Sequence, residues 1–179
     1  FTLSRKDPAY VGRAKAVKVL DEARTAGNLP EEVQAVYAAL EKAGYKPNAA
    51  ATNIGSAIFA NKPGDGSARE QAASCQRVLG GCANICLEFA TKRYRSNCVN
   101  WGILPFTAES GLGVSVGDFI YVPDVRSKVE NGDEAFAAKL VSGEKKRDIT
   151  LYLKNTTAEE RELLLTGCLM NHYAAQNRD

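Results

Sequence analysis

The sequence feature that most constrains the fold is the segment 64–70, which reads Gly-Asp-Gly-Ser-Ala-Arg-Glu. Its two glycines favour a sharp bend, because glycine reaches backbone conformations that are strained for other residues. Ser67, followed three residues later by Glu70, fits a capping box and predicts that a helix begins there. A short apolar segment at 57–60 precedes the bend and is compatible with a strand. A strand, a bent loop and a helix in succession are typical of α/β proteins.

Two amphipathic segments precede this unit and predict a helical hairpin. Apolar residues recur at helical spacing over 9–26 and again over 30–44, with a Gly-Asn pair between the two segments. Neither segment carries residues that suggest chemistry. We therefore assign 1–46 as a helical lead-in and 47–179 as the main domain.

Beyond the bent loop, helical and strand periodicities alternate along the chain. The clearest strand is 149–153, where apolar and polar residues strictly alternate, and Thr157 with Glu160 predicts a second capping box. We expect 124–141 to contain one or two short helices. This interleaving favours an α/β fold. The further predicted strands are 83–89, 103–106 and 119–122, and the further predicted helices are 67–79, 91–100 and a terminal helix from Thr157.

The overall composition is ordinary for a globular domain and argues against several classes of partner. Apolar residues make up 45% of the chain and charged residues 25%. The formal net charge of +2 is too small to indicate binding to nucleic acid or to a membrane surface. No apolar run is long enough to span a bilayer.

Five cysteines and one histidine set the expectations for metal and redox chemistry. An odd number of cysteines, in a chain too large to need disulfides, indicates reduced thiols and a cytoplasmic location. We interpret each cysteine as a small buried hydrophobe. No Cys-x-x-Cys pair occurs and His172 is the only histidine, which argues against a metal site within the chain. A Ser–His or Cys–His catalytic pair involving His172 has no support from the sequence.

Ser67 and Arg69 admit two interpretations that the residues alone leave equally open. In the first, the Ser67 hydroxyl caps the helix and Arg69 is a solvated side chain. In the second, the helix N-terminus and Arg69 bind an anion, which would offset the unfavourable position of a cation near the positive end of the helix dipole. The segment lacks the third glycine of a dinucleotide fingerprint and the Gly-Lys-Ser/Thr of a phosphate-binding loop.

The basic run 92–95, Lys-Arg-Tyr-Arg, also has two interpretations. It is typical of an exposed helix face, and alternatively it supplies positive potential that attracts a polyanionic small substrate. One basic turn in a nearly neutral chain is a poor footprint for nucleic acid.

Several of these segments together resemble the aconitase superfamily. The segment 64–70 and the Arg-Val-Leu-Gly of 77–80 are similar to that family's Gly-x-Gly-Ser-Ser-Arg-Glu and Arg-x-Leu-Gly block. Phe-Ala at 89–90, then Asn97, then Asn-Trp-Gly-Ile-Leu-Pro at 100–105 continue the resemblance in consistent order. It covers about 53–106. The closing part of the chain, 158–162 and Cys168-Leu169, also looks like an uncharacterised aconitase-like hydratase branch.

The resemblance implies a three-layer β/β/α swivelling domain, here preceded by the helical hairpin. Such a domain closes over a [4Fe-4S] cluster held by other domains, and the enzyme dehydrates and rehydrates hydroxy di- or tricarboxylic acids. By this resemblance Ser67 is the catalytic base and Arg69 binds a substrate carboxylate, with Gly66 and Ala68 beside the substrate. The cluster-bearing domains, in the same chain or in a partner subunit, and the hydroxy-carboxylate substrate are the expected partners. No metal ligand is expected in this chain.

Two positions depart from the family pattern. Ala68 replaces the second serine of the Ser-Ser pair, and Gln71 stands where many members have histidine. These departures motivate an alternative, a non-catalytic anion-binding or interaction domain that kept the fold. A further alternative is a stand-alone small subunit of an isopropylmalate-type dehydratase. The hairpin and a first residue, Phe1, that is not methionine favour a piece of a longer chain instead.

Overall fold

The computed structural model describes residues 5–176, which form seven helices and six strands. The helices are α1 (Tyr10–Thr25), α2 (Glu31–Glu41), α3 (Arg69–Val78), α4 (Lys92–Asn100), α5 (Val125–Asn131), α6 (Ala158–Thr166) and α7 (Leu169–Gln176). The strands are β1 (Ser56–Ala60), β2 (Gly81–Cys86), β3 (Leu104–Thr107), β4 (Phe119–Tyr121), β5 (Ala135–Ser142) and β6 (Lys145–Tyr152). The α/β class expected from the sequence is confirmed.

The six strands belong to one mixed sheet in the order β1-β2-β3-β6-β5-β4. Strands β1, β2 and β3 are parallel, with α3 and α4 as the connections between them, and we call this group the parallel half. Strands β6, β5 and β4 pair antiparallel, and we call them the antiparallel half. The two halves meet between β3 and β6 at one register pair, Thr107 with Tyr152. The two halves are therefore joined by little strand pairing and mainly by the side chains that they share in the core.

One face of the sheet carries the main hydrophobic core. Strand alternation places Ile85 of β2 and Phe106 of β3 on this face, together with Phe136 of β5 and Leu151 of β6. The rings of Phe106 and Phe136 lie edge to face with centroids 5.2 Å apart, although β6 runs between their strands. Burying one such side chain contributes about 1.5–3 kcal/mol, so this face supplies much of the stability of both halves.

The opposite face of the parallel half is covered by α3 and α4. Ala73 of α3 packs with Tyr94 and Cys98 of α4 and with Ile103 in a second, smaller cluster. Tyr94 and Cys98 are four residues apart and therefore project from the same face of α4. This packing fixes the two helices against each other, and their N-termini lie beyond β1 and β2 at one edge of the sheet.

The two helices predicted for the lead-in are confirmed for the described residues as α1 and α2, and residues 1–4 of the assigned lead-in lie outside them. Their packing on each other as a hairpin stays a prediction. The lead-in is attached to the rest of the chain by specific contacts. The Ile54 backbone N–H donates to Asp21 Oδ1 at 2.9 Å, and the ring of Tyr45 packs edge to face on Tyr121 with centroids 5.6 Å apart. The division of the chain at 46/47 stays a prediction.

Two predictions on secondary structure in the second half of the chain are wrong. Within 124–141, only the first part is helical, as α5, and the remainder is β5, the long partner of β6 in a hairpin. The terminal helix is two helices, because Gly167 has φ of +93°, a left-handed conformation that ends α6. No helix within 5–176 is long and apolar enough to cross a membrane.

Candidate functional site

The predicted site residues lie on the loop between β1 and α3. Because β1, β2 and β3 are parallel, their carboxyl ends meet at one edge of the sheet, and the loop 61–68 leaves from that edge. The segment 87–91, which leads from β2 into α4, begins at the same edge. In open α/β sheets, ligands bind outside the carboxyl ends of the strands.

The capping box predicted at Ser67 is wrong. Helix α3 begins at Arg69 and its N-cap is Ala68, whose side chain makes no capping hydrogen bond. The Glu70 carboxylate, which a capping box would turn back towards Ser67, instead accepts a hydrogen bond from Trp101 Nε1 at 2.6 Å. The Glu70 carboxylate therefore binds Trp101, which is distant in sequence, instead of turning back to Ser67. Ser67 is left exposed, with no hydrogen bond from its hydroxyl to the helix N-terminus.

Gly64 is held in place by its backbone conformation, by packing and by hydrogen bonds. Its φ of +98° is a left-handed conformation, and a Cβ at this position would lie 2.5 Å from the Cβ of Tyr94. Its carbonyl oxygen accepts two hydrogen bonds, from Thr91 Oγ1 at 2.9 Å and from Arg69 Nε at 3.1 Å. One backbone oxygen thus joins the start of the loop to the N-terminal ends of both α3 and α4.

The Arg69 side chain is half-buried and folds back over the loop that precedes it. Besides the Gly64 contact, its Nη2 donates to the Asp65 carbonyl at 3.5 Å. A guanidinium has five N–H donors, so these contacts leave several for a carboxylate. The backbone N–H groups of Arg69 and Gln71, in the first turn of α3, have no acceptor within 5–176.

The structure keeps the predicted site residues together on one exposed surface. Gly66, Ser67 and Ala68 are all exposed, and Gln71 in the first turn of α3 is exposed as well. The chain therefore offers a surface of N–H donors, one hydroxyl and one guanidinium, which is chemically suited to a carboxylate. His172 lies far along the chain on α7, where its Nδ1 is 3.5 Å from Glu162 Oε1.

The basic run 92–95 is divided between two roles. Lys92 and Arg93 are exposed at the N-terminus of α4. Arg95 instead pairs with Glu160 of α6, with an Nη1–Oε1 distance of 2.6 Å and about a fifth of each side chain exposed. Only the first two residues can add to the positive potential at the sheet edge. Arg95 joins the two helices.

Beneath the loop lies a buried polar network that the sequence analysis missed. Gln76 Nε2 of α3 donates to Asn84 Oδ1 of β2 at 2.8 Å. Asn84 Nδ2 in turn lies 3.1 Å from both Tyr94 Oη and Cys98 Sγ of α4. The sequence signal was an amide in the middle of the apolar strand β2, since a buried amide needs partners. The network fixes α3, which follows the loop, and α4, which contacts the loop.

Burial changes the acidity of several thiols. It raises the pKa of Cys86 to about 12 and that of Cys98 to about 11, and that of Cys82 to about 11 as well. These thiols are protonated at neutral pH and make poor nucleophiles. The expectation of a buried hydrophobe is confirmed for Cys86 and Cys98, whereas Cys75 is exposed and departs from it.

Two open clefts lie away from the predicted site residues. A cleft of about 470 Å³ is lined by residues of the 41–47 turn after α2. A second, of about 240 Å³, lies beside β6 and has Glu109, Arg147, Asp148 and Tyr152 among its lining residues. Neither includes Ser67, which is exposed, or Arg69, which is half-buried.

Comparison with protein-family models gives no match, and a search of curated proteins gives none either.

Proposed function

We propose that this chain is the swivelling domain of an aconitase-like hydro-lyase that dehydrates and rehydrates a hydroxy di- or tricarboxylic acid. In this proposal Ser67 abstracts the proton next to a carboxylate, and Arg69 binds and orients that carboxylate. Gly66 and Ala68 line the substrate through their backbone. The finer β/β/α arrangement is part of the proposal, and α3 and α4 on the outer face of the parallel half would form its helical layer.

The observation that carries the proposal is the junction at the Gly64 carbonyl. It brings the N-terminal ends of α3 and α4 together beside Ser67, at the edge where three parallel strands end. Each helix N-terminus favours negative charge, and Arg69, Lys92 and Arg93 add full positive charges to the same edge. A substrate with several carboxylates fits this potential.

The surroundings of Ser67 support a role in proton transfer. Its hydroxyl is not used in capping, and the free N–H groups of Arg69 and Gln71 are near it in the chain. An unassisted serine hydroxyl is a weak base, because its alkoxide is costly in water. Donors held in place at a helix N-terminus stabilise that alkoxide and make the transfer feasible.

The iron–sulfur cluster of the proposed enzyme belongs to other domains or to a partner subunit. Within 5–176, no group of three or more His, Cys, Asp and Glu side chains is placed to hold a metal ion. When bound in the complete enzyme, the cluster would supply Lewis-acid activation of the substrate hydroxyl. A cytoplasmic location is also proposed, supported by the five free thiols.

The test is Ser67→Ala in protein assembled with the cluster-bearing domains and assayed against a panel of hydroxy acids. Loss of a positioned base lowers kcat by about 10²–10⁴-fold while substrate binding changes little. Ser74→Ala is the matched control, because Ser74 lies on α3, which follows Ser67, and its hydroxyl donates to the Gln71 carbonyl. Unchanged turnover in Ser67→Ala would remove Ser67 from the mechanism.

A second candidate is an anion-binding domain without catalysis. It is favoured by Ala68, which places a methyl group at the N-cap where the family pattern has a hydroxyl, and by Arg69, whose guanidinium is partly engaged with the loop carbonyls. Calorimetric titration of tricarboxylates into the cluster-loaded protein, followed by turnover assays, separates the two candidates. Binding without turnover across the panel supports the second.

A further inference from the structure

We propose that α4 positions the candidate site by holding both ends of the segment 64–70 through one row of side chains. This segment comprises the second part of the loop 61–68 and the first two residues of α3. The row consists of Thr91, Tyr94, Asn97 and Trp101, and we call it the clamp row. Its residues touch the segment at its first and last residues, Gly64 and Glu70, and are thus positioning residues. Their effect on substrate rests on the proposed function, whereas their effect on the order of the segment does not.

At the first end of the segment, the clamp row holds Gly64. Thr91 has two roles, since its hydroxyl donates to the Gly64 carbonyl at 2.9 Å and accepts from the Tyr94 backbone N–H at 3.3 Å as the N-cap of α4. The Tyr94 ring lies where a Gly64 side chain would be, with its Cγ 2.6 Å from an added Cβ. Gly64 is therefore held by a hydrogen bond on its carbonyl and by direct packing on its Cα.

At the other end, the clamp row holds Glu70. With its amide oriented to satisfy both groups, Asn97 accepts from the Glu70 backbone N–H at 2.9 Å and donates to the Arg93 carbonyl at 2.9 Å. The Trp101 indole N–H donates to Glu70 Oε1 at 2.6 Å. One N–H of the first turn of α3 and the adjacent carboxylate are thus both engaged by α4.

The spacing of the clamp row explains how one helix reaches both ends. Its members are three, three and four residues apart, which places them along a single side of α4 and its C-cap. Tyr94 is itself fixed from below by Asn84, through the 3.1 Å contact. The distance between the two ends of the segment is therefore set by a rigid helix. Between those ends, Gly66, Ser67 and Arg69 keep a defined arrangement even though the loop is exposed.

The test uses three substitutions in the clamp row and one control on α4. Asn97→Leu removes the acceptor for the Glu70 N–H, and Trp101→Phe removes the indole donor but keeps an aromatic ring. Asn97→Asp keeps the acceptor for the Glu70 N–H but loses the donor to the Arg93 carbonyl, and it is expected to retain more loop order than Asn97→Leu. Asn100→Leu, on α4 but outside the clamp row, is the control. Backbone ¹⁵N order parameters of 64–70, the affinity for citrate as a carboxylate probe, and the urea midpoint are measured for each.

We expect backbone order parameters for 64–70 of about 0.85 in the wild type and below about 0.6 in Asn97→Leu and Trp101→Phe. Citrate affinity should fall about tenfold in both, because a less ordered segment must be ordered again on binding at a cost similar to that of one hydrogen bond. The urea midpoint should fall by no more than the loss of one hydrogen bond predicts. Unchanged loop order in both variants, with the fold retained, overturns the proposal. Failure of citrate to bind the wild type counts against the proposed function instead, because the order parameters decide the clamp row independently.

Discussion

The two halves of the sheet are stabilised by different chemistry. In the antiparallel half, β5 and β6 form eight register pairs. These two strands contribute buried side chains to the main core, namely Phe136, Ala138, Leu140, Ile149 and Leu151. In the parallel half, one face joins that core, but the other carries the amide network centred on Asn84. Apolar packing is nondirectional, whereas a hydrogen-bonded network fixes orientation. The half that carries the candidate site is thus the half whose helices are fixed by directional contacts.

The largest effect is expected in the antiparallel half, from Phe136→Ala. Phe136 is fully buried and packs edge to face on Phe106, so its truncation loses apolar burial and leaves a cavity. We expect a loss of about 3–5 kcal/mol in the free energy of unfolding, measured by urea denaturation. Thr150→Ala, on the exposed side of β6, is the control and should cost less than about 1 kcal/mol. A similar cost for both variants would show that the core is not centred on Phe136.

A smaller effect is expected in the parallel half, from Asn84→Leu. The substitution keeps most of the volume but leaves Tyr94 Oη and Cys98 Sγ without their shared partner. We expect a loss of about 2 kcal/mol, together with shifts of the amide resonances of α3 and α4 but not of β5 and β6. Asn131→Ala, at an exposed position of α5, is the matched control. Shifts spread evenly over both halves would contradict the separation of the two.

The two Ser/Thr-x-x-Glu motifs allow a smaller comparison. At Thr157 the capping box is complete, with Thr157 Oγ1 accepting from the Glu160 N–H at 3.1 Å and Glu160 Oε2 accepting from the Thr157 N–H at 3.2 Å. We therefore expect Thr157→Ala to cost about 1 kcal/mol in urea denaturation. Ser67→Ala should change stability by less than about 0.5 kcal/mol, because Ser67 caps no helix. Equal costs for the two would mean that Ser67 does cap α3 in solution.

We expect the free energy of unfolding to change little with pH near neutrality. As the pH rises, we expect it to fall first through groups in the parallel half. Burial raises the pKa of Cys86 to about 12 and of Cys98 to about 11 from an ordinary value of 9.0. Below pH 9 both thiols are protonated in the folded and unfolded states, so their contribution is fully present. Above pH 9 the unfolded thiols ionise first, and stability falls as the pH rises towards the folded values.

This pH dependence is checked by urea denaturation at pH 8, 9 and 10. The pKa of Lys139 in the antiparallel half is also raised, by its hydrogen bond to Asp148, so its contribution is lost only above its ordinary value of 10.5. The thiols of the parallel half, with an ordinary pKa of 9.0, therefore begin to lower stability at a lower pH than Tyr121 and Tyr152 of the antiparallel half, whose pKa values are raised from an ordinary 10.0. The fall between pH 9 and 10 should be shallower in Cys86→Ala and unchanged in Cys75→Ala, since Cys75 is exposed. No fall below pH 10 would contradict this order.

The sequence was sufficient where a structure depends on neighbouring residues. Helical spacing predicted α1 and α2, strict alternation predicted β6, and the second capping box predicted the start of α6. The glycine at 64 also predicted a sharp bend, which its φ of +98° confirms. In each case the determining contacts lie within a few residues along the chain. The placement of Ser67 and Arg69 on one loop followed directly from their proximity in sequence.

Only the tertiary structure decided the features that depend on distant partners. Ser67 lost its predicted cap because Trp101 and Asn97, some thirty residues away in sequence, engage Glu70 instead. Strand β5 was missed because its identity as a strand depends on pairing with β6. The Asn84 network joins three elements that the sequence shows only separately. Local propensities are worth tenths of a kcal/mol per residue, so a single well-placed tertiary hydrogen bond is enough to override them.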